Sequence, residues 1–392
     1  MSIRKVKISS LKLEIKNKKS SLQEENVWLL NLDQIQSHTG KIISKELVPI
    51  SKVGSSTHFF EKGTILYSKL RPYLNKVIIA DDCGFATTEL VPIVINSEIV
   101  DSNYLVYFLR SHQFLSFATN VVAGAKMPRM VMSEFWNYEI PLPPLEEQRR
   151  IAAILDQADA LRQKRQQSLE KLDQLLQAAF IEMFGDPVSN PKGWDTMCIE
   201  SLIAKEKYSL KRGPFGGALK KEIFVDSGYL VYEQYHALNS DFSFQRYFIN
   251  EDKYQELKAF TVKPKDIIIS CSGVNLGKLA EIPLGSPVGI INQALLKVTL
   301  NEEIILNDFF IEVFSHPNFK KAFYGDFRGA AIPNFPPMSV FKEFQFIIPP
   351  LKQQQKYVDL KKMLNTIKKS ASMSNLDNLF NSLQQKAFTG RL

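Results

Sequence analysis

The chain has 392 residues, enough for two or more domains. Its 45% hydrophobic and 23% charged residues are ordinary for a globular protein, and a net charge of +8 suits a nucleic-acid binder or any basic cytosolic protein. Cys83, Cys198 and Cys271 lie far apart, which argues against a disulfide framework or a zinc site, and no run approaches the ~20 apolar residues of a membrane span. The N-terminus lacks the apolar core of a signal peptide, so a cytoplasmic location is expected.

Residues 1–141 read as a mixed α/β domain. Short runs rich in β-branched and aromatic residues predict strands at Val27–Leu32, Thr64–Tyr67, Lys76–Ala80 and Leu90–Ile95. Helices are predicted over Asn103–Ser111, whose Tyr104, Tyr107 and Phe108 form an apolar face, and around Phe114–Thr119. Gly124-Ala125-Lys126-Met127-Pro128 breaks regular structure, and Phe135–Leu142 reads as a strand leading into prolines.

Residues 142–186 predict one long helix between Pro141–Pro144 and Gly185-Asp186-Pro187. Apolar or small residues at 151, 155, 158, 169, 172, 176, 179 and 183 form a heptad-like seam, broken by a polar waist at Arg162–Ser168. A solvated amphipathic helix is the plainer reading. Few helices of single domains are so long, however, and an intramolecular coiled-coil arm fits better.

Residues 187–348 again read as mixed α/β. Strands are predicted at Tyr229–Tyr232, Ile267–Cys271, Leu295–Leu300 and Phe344–Ile348, a helix at Leu306–Phe314, and irregular chain at Gly325–Pro337. Residues 349–392 form a second helical stretch, with a seam through Leu360, Leu364, Ile367 and Ala371 that resumes at Leu376, Phe380, Leu383 and Ala387. The break in spacing at Ser372–Asn375 is expected to disturb a coiled coil.

The halves repeat. Pro143-Pro144-Leu145 aligns with Pro349-Pro350-Leu351 at an offset of 206, Gly124-Ala125 with Gly329-Ala330 at 205, and Ala179-Phe180 with Ala387-Phe388 at 208; Gly63–Ala80 resembles Lys265–Ile282. The expected fold class is therefore α+β, with two similar mixed α/β domains separated by two long helices packed as an antiparallel coiled coil, with pseudo-two-fold symmetry. An arm of roughly 40 helical residues would span ~60 Å. Two basic heads at a set separation suit a repeating polymer such as duplex DNA.

The PLPPLEEQRRIAAILDQADALRQK…LDQLLQAAFIEMFGD stretch resembles the central conserved region of specificity subunits of type I restriction–modification systems. IIPPLKQQQKYV…LFNSLQQKAFTGRL resembles their C-terminal region, while Gly213–Lys220 and Ile65–Lys76 resemble segments of their target recognition domains. The resemblance implies target recognition domains at 1–141 and 187–348, spacer helices at 142–186 and 349–392, and no catalysis by the chain itself. It implies double-stranded DNA, two methylation subunits and restriction/translocation subunits as partners. S-adenosylmethionine, ATP and magnesium are then expected on those partners, with no cofactor on this chain.

Catalytic signatures are weak. Asn334-Phe335-Pro336-Pro337 has the composition of an adenine methyltransferase loop in the wrong order. Gly273–Leu279 resembles a phosphate loop but is short between its glycines, and reads as a turn. The five histidines show no metal spacing. A fused methyltransferase or nuclease, and a coiled-coil adaptor that does not read DNA, are the rival readings.

DNA contacts need Lys, Arg, Asn or Gln on presented loops. The candidates are Lys69, Arg71, Tyr73, Asn75 and Lys76, then Lys126 and Arg129, in the first domain. In the second they are Lys211, Arg212 and Lys220 around a Gly-Pro-Phe-Gly-Gly loop, with Asn275, Lys278, Arg328 and Asn334. A solvated turn is the alternative for each. Glycine in that loop would allow close backbone approach to a ligand. The Lys361, Lys362, Lys368 and Lys369 cluster reads either as a surface over the DNA spacer or as solvated. Phe180, Phe184, Phe380 and Phe388 are the candidates for docking the methylation subunits.

Overall fold

A computed structural model of the chain describes residues 4–13, 25–215, 217–273, 275–325, 335–370 and 373–392. The chain divides into two compact units, Met1–Ser168 with Ala371–Leu392, and Leu169–Ser370. They are built alike.

In unit 1, strand β1 (Ile65–Ser68) lies between β2 (Val77–Ile79) and β3 (Leu90–Ile93) in an antiparallel sheet. All four residues of β1 are buried, as suits a covered central strand of β-branched and aromatic side chains. Helix α1 (Ser102–Leu109) starts at Asp101, whose side chain accepts from the Tyr104 N–H, and α2 (His112–Asn120) is capped in the same way by Ser111. Their Tyr104, Phe108 and Phe114 share a core with Ile65, Tyr67, Val77 and Ile93. A second sheet runs in the order Glu46–Pro49, Asn26–Leu30, Gly84–Thr87, Thr57–Phe60, with its middle pair parallel.

Helix α3 (Leu145–Phe184) contributes residues to both units. In unit 2, β4 (Leu210–Arg212), β5 (Ile267–Ser270), β6 (Leu279–Glu281) and β7 (Leu295–Val298) form an antiparallel sheet in the order β4-β7-β5-β6. Helices α4 (Asn307–Ser315) and α5 (Pro317–Tyr324) cover it. Its second sheet repeats the first unit's topology, in the order Phe248–Ile249, Tyr229–Tyr232, Gly289–Ile291, Thr261–Val262, again with a parallel middle pair. The repeat extends to single bonds. Gly63 N–H donates to Ala80 O and Lys265 N–H to Ile282 O, each at 2.8 Å, and Ala80 N–H to Thr64 O and Ile282 N–H to Asp266 O, each at 2.9 Å.

The predicted strand Phe135–Leu142 is shorter than expected. Met132–Asn137 is helical and only Glu139–Pro141 is extended, paired with Lys5–Lys7. The partner strand offers three residues, so the preceding backbone satisfies its polar groups in a helical turn instead. That turn drives Phe135 fully into the core, 4.6 Å from the Tyr67 ring.

The C-terminal stretch is helical over α6 (Leu351–Ser370) and α7 (Met373–Phe388), while residues 371 and 372, where the break in spacing begins, lie outside the described residues. Within unit 1, α7 runs antiparallel to the first part of α3: Arg150 donates to Leu392 O at 3.1 Å, and Arg162 meets Asp377 at 2.6 Å. Arg162, in the expected polar waist, also pairs with Asp159 and lies over the Phe380 ring, 4.5 Å from its centroid. Within unit 2, α6 packs antiparallel on the rest of α3. Phe180 and Phe184 meet Tyr357 at 5.4 and 5.7 Å, and Lys368 pairs with Asp173.

One buried glutamine ties each arm to its unit. Gln148 Oε1 accepts from Asp101 N–H at 2.9 Å, while its Nε2 donates to Ile99 O at 3.0 Å and Pro143 O at 2.8 Å. Gln354 repeats the arrangement with Leu306 N–H, Ile304 O and Pro349 O at 2.9, 3.1 and 2.7 Å. Both are 0% exposed. Gln148→Leu or Gln354→Leu strands three buried backbone groups at about 1–3 kcal/mol each. Each substitution is expected to lower unfolding free energy by ~3 kcal/mol or more, read from the urea midpoint at unchanged m-value.

Candidate nucleic-acid interface

Antiparallel order fixes which loops share a sheet end. In unit 1, β1 ends at Ser68, β2 begins at Val77 and β3 begins at Leu90, so the 69–76 loop and Glu89 lie at one end. The Gly-Pro segment before the hinge joins them. Leu70 bridges Arg129, Arg71 N–H donates to Pro128 O at 2.7 Å, and Met130 N–H donates to Lys69 O at 2.8 Å. Two candidate groups more than fifty residues apart thus form one surface.

Within it the side chains divide. Arg71, Tyr73 and Lys126 are exposed and Lys69 is half-exposed. Arg71 sits at φ 49°, a left-handed conformation uncommon for a non-glycine residue, which marks a backbone held by its surroundings. Arg129 is committed to Glu89, with Nε at 3.0 Å and Nη2 at 2.9 Å from Oε1; these bonds and the carboxylate charge raise its pKa. Its Nη1 lies 3.5 Å from Met127 O.

Two candidates turn inward and are corrections to the sequence reading. Asn75 is buried, adopts φ 49°, and donates from Nδ2 to Arg110 O at 2.9 Å. Lys76 Nζ donates to Leu32 O at 2.6 Å, and burial lowers its pKa. Both brace the loop from within.

In unit 2, β4 ends at Arg212, β5 ends at Ser270, β6 begins at Leu279 and β7 begins at Leu295, all at one sheet end. The Gly273–Leu279 segment is the β5–β6 connection, and Ser270 N–H donates to Lys278 O as Ser68 N–H does to Lys76 O. Phe335 N–H donates to Cys271 O at 3.0 Å, the counterpart of the Met130–Lys69 bond. Asn275, Lys278 and Lys220 are exposed. Lys320 is half-buried, its pKa lowered by burial and then by Lys278. Arg212 is half-buried and only partly offsets the burial that pushes the Cys271 thiol up to about 12. Lys211 is taken up by aromatic rings, 5.2 Å from the Phe260 centroid and 5.4 Å from that of Tyr208. Arg328 and Asn334 lie outside the described residues.

Gly213 allows a close approach, but to the chain itself. A Cβ there would lie 1.8 Å from Asn292 O. Among the described residues no group of three or more His, Cys, Asp or Glu is placed to hold a metal, and no helix is long and apolar enough to cross a membrane.

The four phenylalanines expected to dock partners are buried inside the units. Phe388 packs on Tyr104 and Phe108 at 5.5 and 5.1 Å and Phe380 faces Tyr107, while Phe180 and Phe184 pack on Phe309 at 6.0 and 4.8 Å. The globular cores need these rings to close against the arms, so none is free for a partner. In the lysine cluster, burial opposes the charge of Lys361, but Glu312 at 2.7 Å and Asp308 at 3.2 Å outweigh it and raise the pKa. Lys368 pairs with Asp173, while Lys362 and Lys369 are exposed.

Residues 34–171 match the model of the type I restriction modification DNA specificity domain. Over that stretch the chain is similar to the DNA specificity domain of type I restriction–modification systems. It is 31% identical over 170 residues to the type I restriction enzyme EcoDI specificity subunit of Escherichia coli, covering 42% of this chain and 38% of that one. It is 26% identical over 237 residues to the MjaIX specificity subunit of Methanocaldococcus jannaschii, covering 56% and 53%. The matched region thus spans about two fifths to one half of these relatives' own length. The fold is similar to that of a chain from a type I R-M system solved for its complex assembly and conformational transition. That likeness has 18% identity and a TM-score of 0.62 over 99% of this chain and 98% of the other. It is also similar to the type I restriction–modification S subunit from M. genitalium, with 18% identity and a TM-score of 0.52 over 99% and 96%.

Sequence reasoning missed residues that shape the strand-end loops from a distance. Glu89 holds Arg129, and Gln234 Nε2 donates to Ser270 Oγ and Ser272 O, each at 2.6 Å, at the root of the 271–278 loop. Neither carries a local signal, because the partner is some forty residues away. Asn75→Ala removes a buried bond and leaves a β-carbon residue without Asn's tolerance for left-handed backbone. The substitution is expected to cost about 1–3 kcal/mol in urea unfolding. Asn75→Gly, which meets the backbone demand, is expected to lose less.

Proposed function

We propose that this chain is the DNA-recognition subunit of a type I restriction–modification complex in the cytoplasm, in which each globular part reads one half of a bipartite duplex site. The observation that carries this reading is the duplicated strand-end surface. The same hydrogen bonds shape both loops, and each presents exposed cations, joined by Tyr73 in the first and by the Asn275 amide in the second. Lys69, Arg71, Tyr73 and Lys126 are the proposed contacts in the first domain, with Arg129 held ready by Glu89. Lys220, Asn275 and Lys278, with the half-buried Arg212, are those in the second.

In this proposal the target recognition domains are 1–141 and 187–348, and the helices of 142–186 and 349–392 set the unread spacer. The chain supplies no catalysis. Two methylation subunits supply S-adenosylmethionine chemistry, and restriction/translocation subunits supply ATP- and magnesium-dependent cleavage. Docking is assigned to exposed apolar residues of the arms, Leu161, Leu175, Ile181, Met363, Ile367 and Leu379. They take the place of the four buried phenylalanines, since exposed apolar positions on paired helices can receive partner helices.

Replacing residues 1–141 by those of another family member is expected to change one half of the modified DNA motif and leave the other half intact. Mapping of modified adenines in cells carrying the exchange reads this directly, and an unchanged motif refutes the assignment. Arg71→Ala and Lys126→Ala are each expected to reduce the slope of log affinity against log salt by about 0.9. Fluorescence anisotropy between 50 and 200 mM salt measures it, and Lys76→Met is expected to leave the slope unchanged.

A further inference from the structure

Phe215 is the most exposed large hydrophobic residue among the described residues, at 90%. Its placement is built rather than loose. Gly213 and Pro214 are buried, with Gly213 seated against Asn292 O, and Gly213 N–H donates to Leu295 O at 2.8 Å. Ala218 N–H donates to Phe215 O at 3.1 Å, which puts the ring on a turn. Exposed Lys220 and Lys221 follow.

The topology puts this turn among the candidate DNA contacts. It leaves the end of β4 at Arg212, which stands opposite Leu296, and Leu296 stands opposite Ile269 one residue before the end of β5. The turn therefore rises from the same sheet end as Asn275 and Lys278. A ring held in water has an apolar surface to cover. Of its apolar loop neighbours, Pro214 is buried and Ala218 and Leu219 pack partly against a core cluster, so the exposed surroundings are glycine and lysine and not the contiguous apolar residues that mark a protein-docking patch. A single ring among lysines suits a nucleobase. Apolar side chains enter duplex base steps as wedges, and aromatic rings stack on bases whatever the sequence.

We infer that Phe215 enters a base step of the half-site read by unit 2, with Lys220 and Lys221 on the flanking phosphates. This rests on the DNA-reading function proposed above, and names the residue through which unit 2 deforms its half-site.

The test uses the full chain with its methylation subunit. The probe is a duplex bearing the site mapped from modified adenines, with 2-aminopurine placed in turn at each position of the half-site. Wild type is expected to raise the fluorescence at one step. Phe215→Ala is expected to abolish that rise and weaken site binding about 10- to 100-fold. Phe215→Trp is expected to keep both. The ring is almost wholly in water, so the thermal transition of both variants is expected to match wild type. Wild type that prefers its site but raises no 2-aminopurine signal, or a Phe215→Ala chain that binds and unstacks as wild type does, overturns the wedge alone. Wild type that does not prefer its site over a scrambled duplex overturns the DNA-reading function and the wedge with it.

Discussion

Each unit closes on its arm through one buried amide at the arm's root. Gln148 and Gln354 each close three hydrogen bonds to backbone, one side bonding the proline hinge and the other the residues that lead into α1 or α4. A primary amide has two donors and an acceptor in a fixed plane. Once buried, it is stable only if those groups are met. The arm therefore leaves its own unit in one direction, and the helices that pack the core are set by the same bonds. A glutamate at either position would bury a charge, and a leucine would leave the backbone groups unmet.

The second constraint is the antiparallel sheet. Reversal of direction brings the ends of some strands beside the starts of others, so loops distant in sequence meet at one edge. In unit 1 this joins the 69–76 loop to the segment before the hinge, and in unit 2 it joins the Gly213 turn to the β5–β6 loop. Part of the polar inventory there is used to hold the loops up. Asn75, Lys76 and Gln234 spend their hydrogen bonds on backbone carbonyls or a hydroxyl, and Arg129 faces Glu89. What is left exposed differs between the units: Arg71, Tyr73 and Lys126 in one, Phe215, Lys220, Asn275 and Lys278 in the other. Matching backbones with different exposed side chains fit the proposed reading of two different half-sites.

The arms show how far burial redirects a sequence pattern. Phe180 and Phe388 occupy equivalent places in the repeat, and each closes the core of the unit in which it lies, against Phe309 or Tyr104. The heptad seam is thus only part of the apolar surface of these helices. The remainder is shared between the globular cores and solvent-exposed positions such as Leu161 and Leu175.

The duplication, the long helices, the prolines that precede them and most of the strands were legible along the chain. These rest on local periodicity, breaker residues and self-similarity, all of which are written along the chain. The sequence also listed the polar residues near the loops. Only the tertiary structure decided which of them are free. Lys69 and Lys76 are chemically alike and seven residues apart, yet one stays half-exposed and the other reaches Leu32 O. That difference depends on a turn forty-four residues away, as the burial of Phe388 depends on α1. The sequence likewise offered glycines in the Gly213 loop as a place for a ligand. The fold uses Gly213 to seat the loop on its own sheet, and turns the neighbouring Phe215 outward. Residue type fixes what a group can bond; the distance of its partners along the chain leaves the choice among them to the fold.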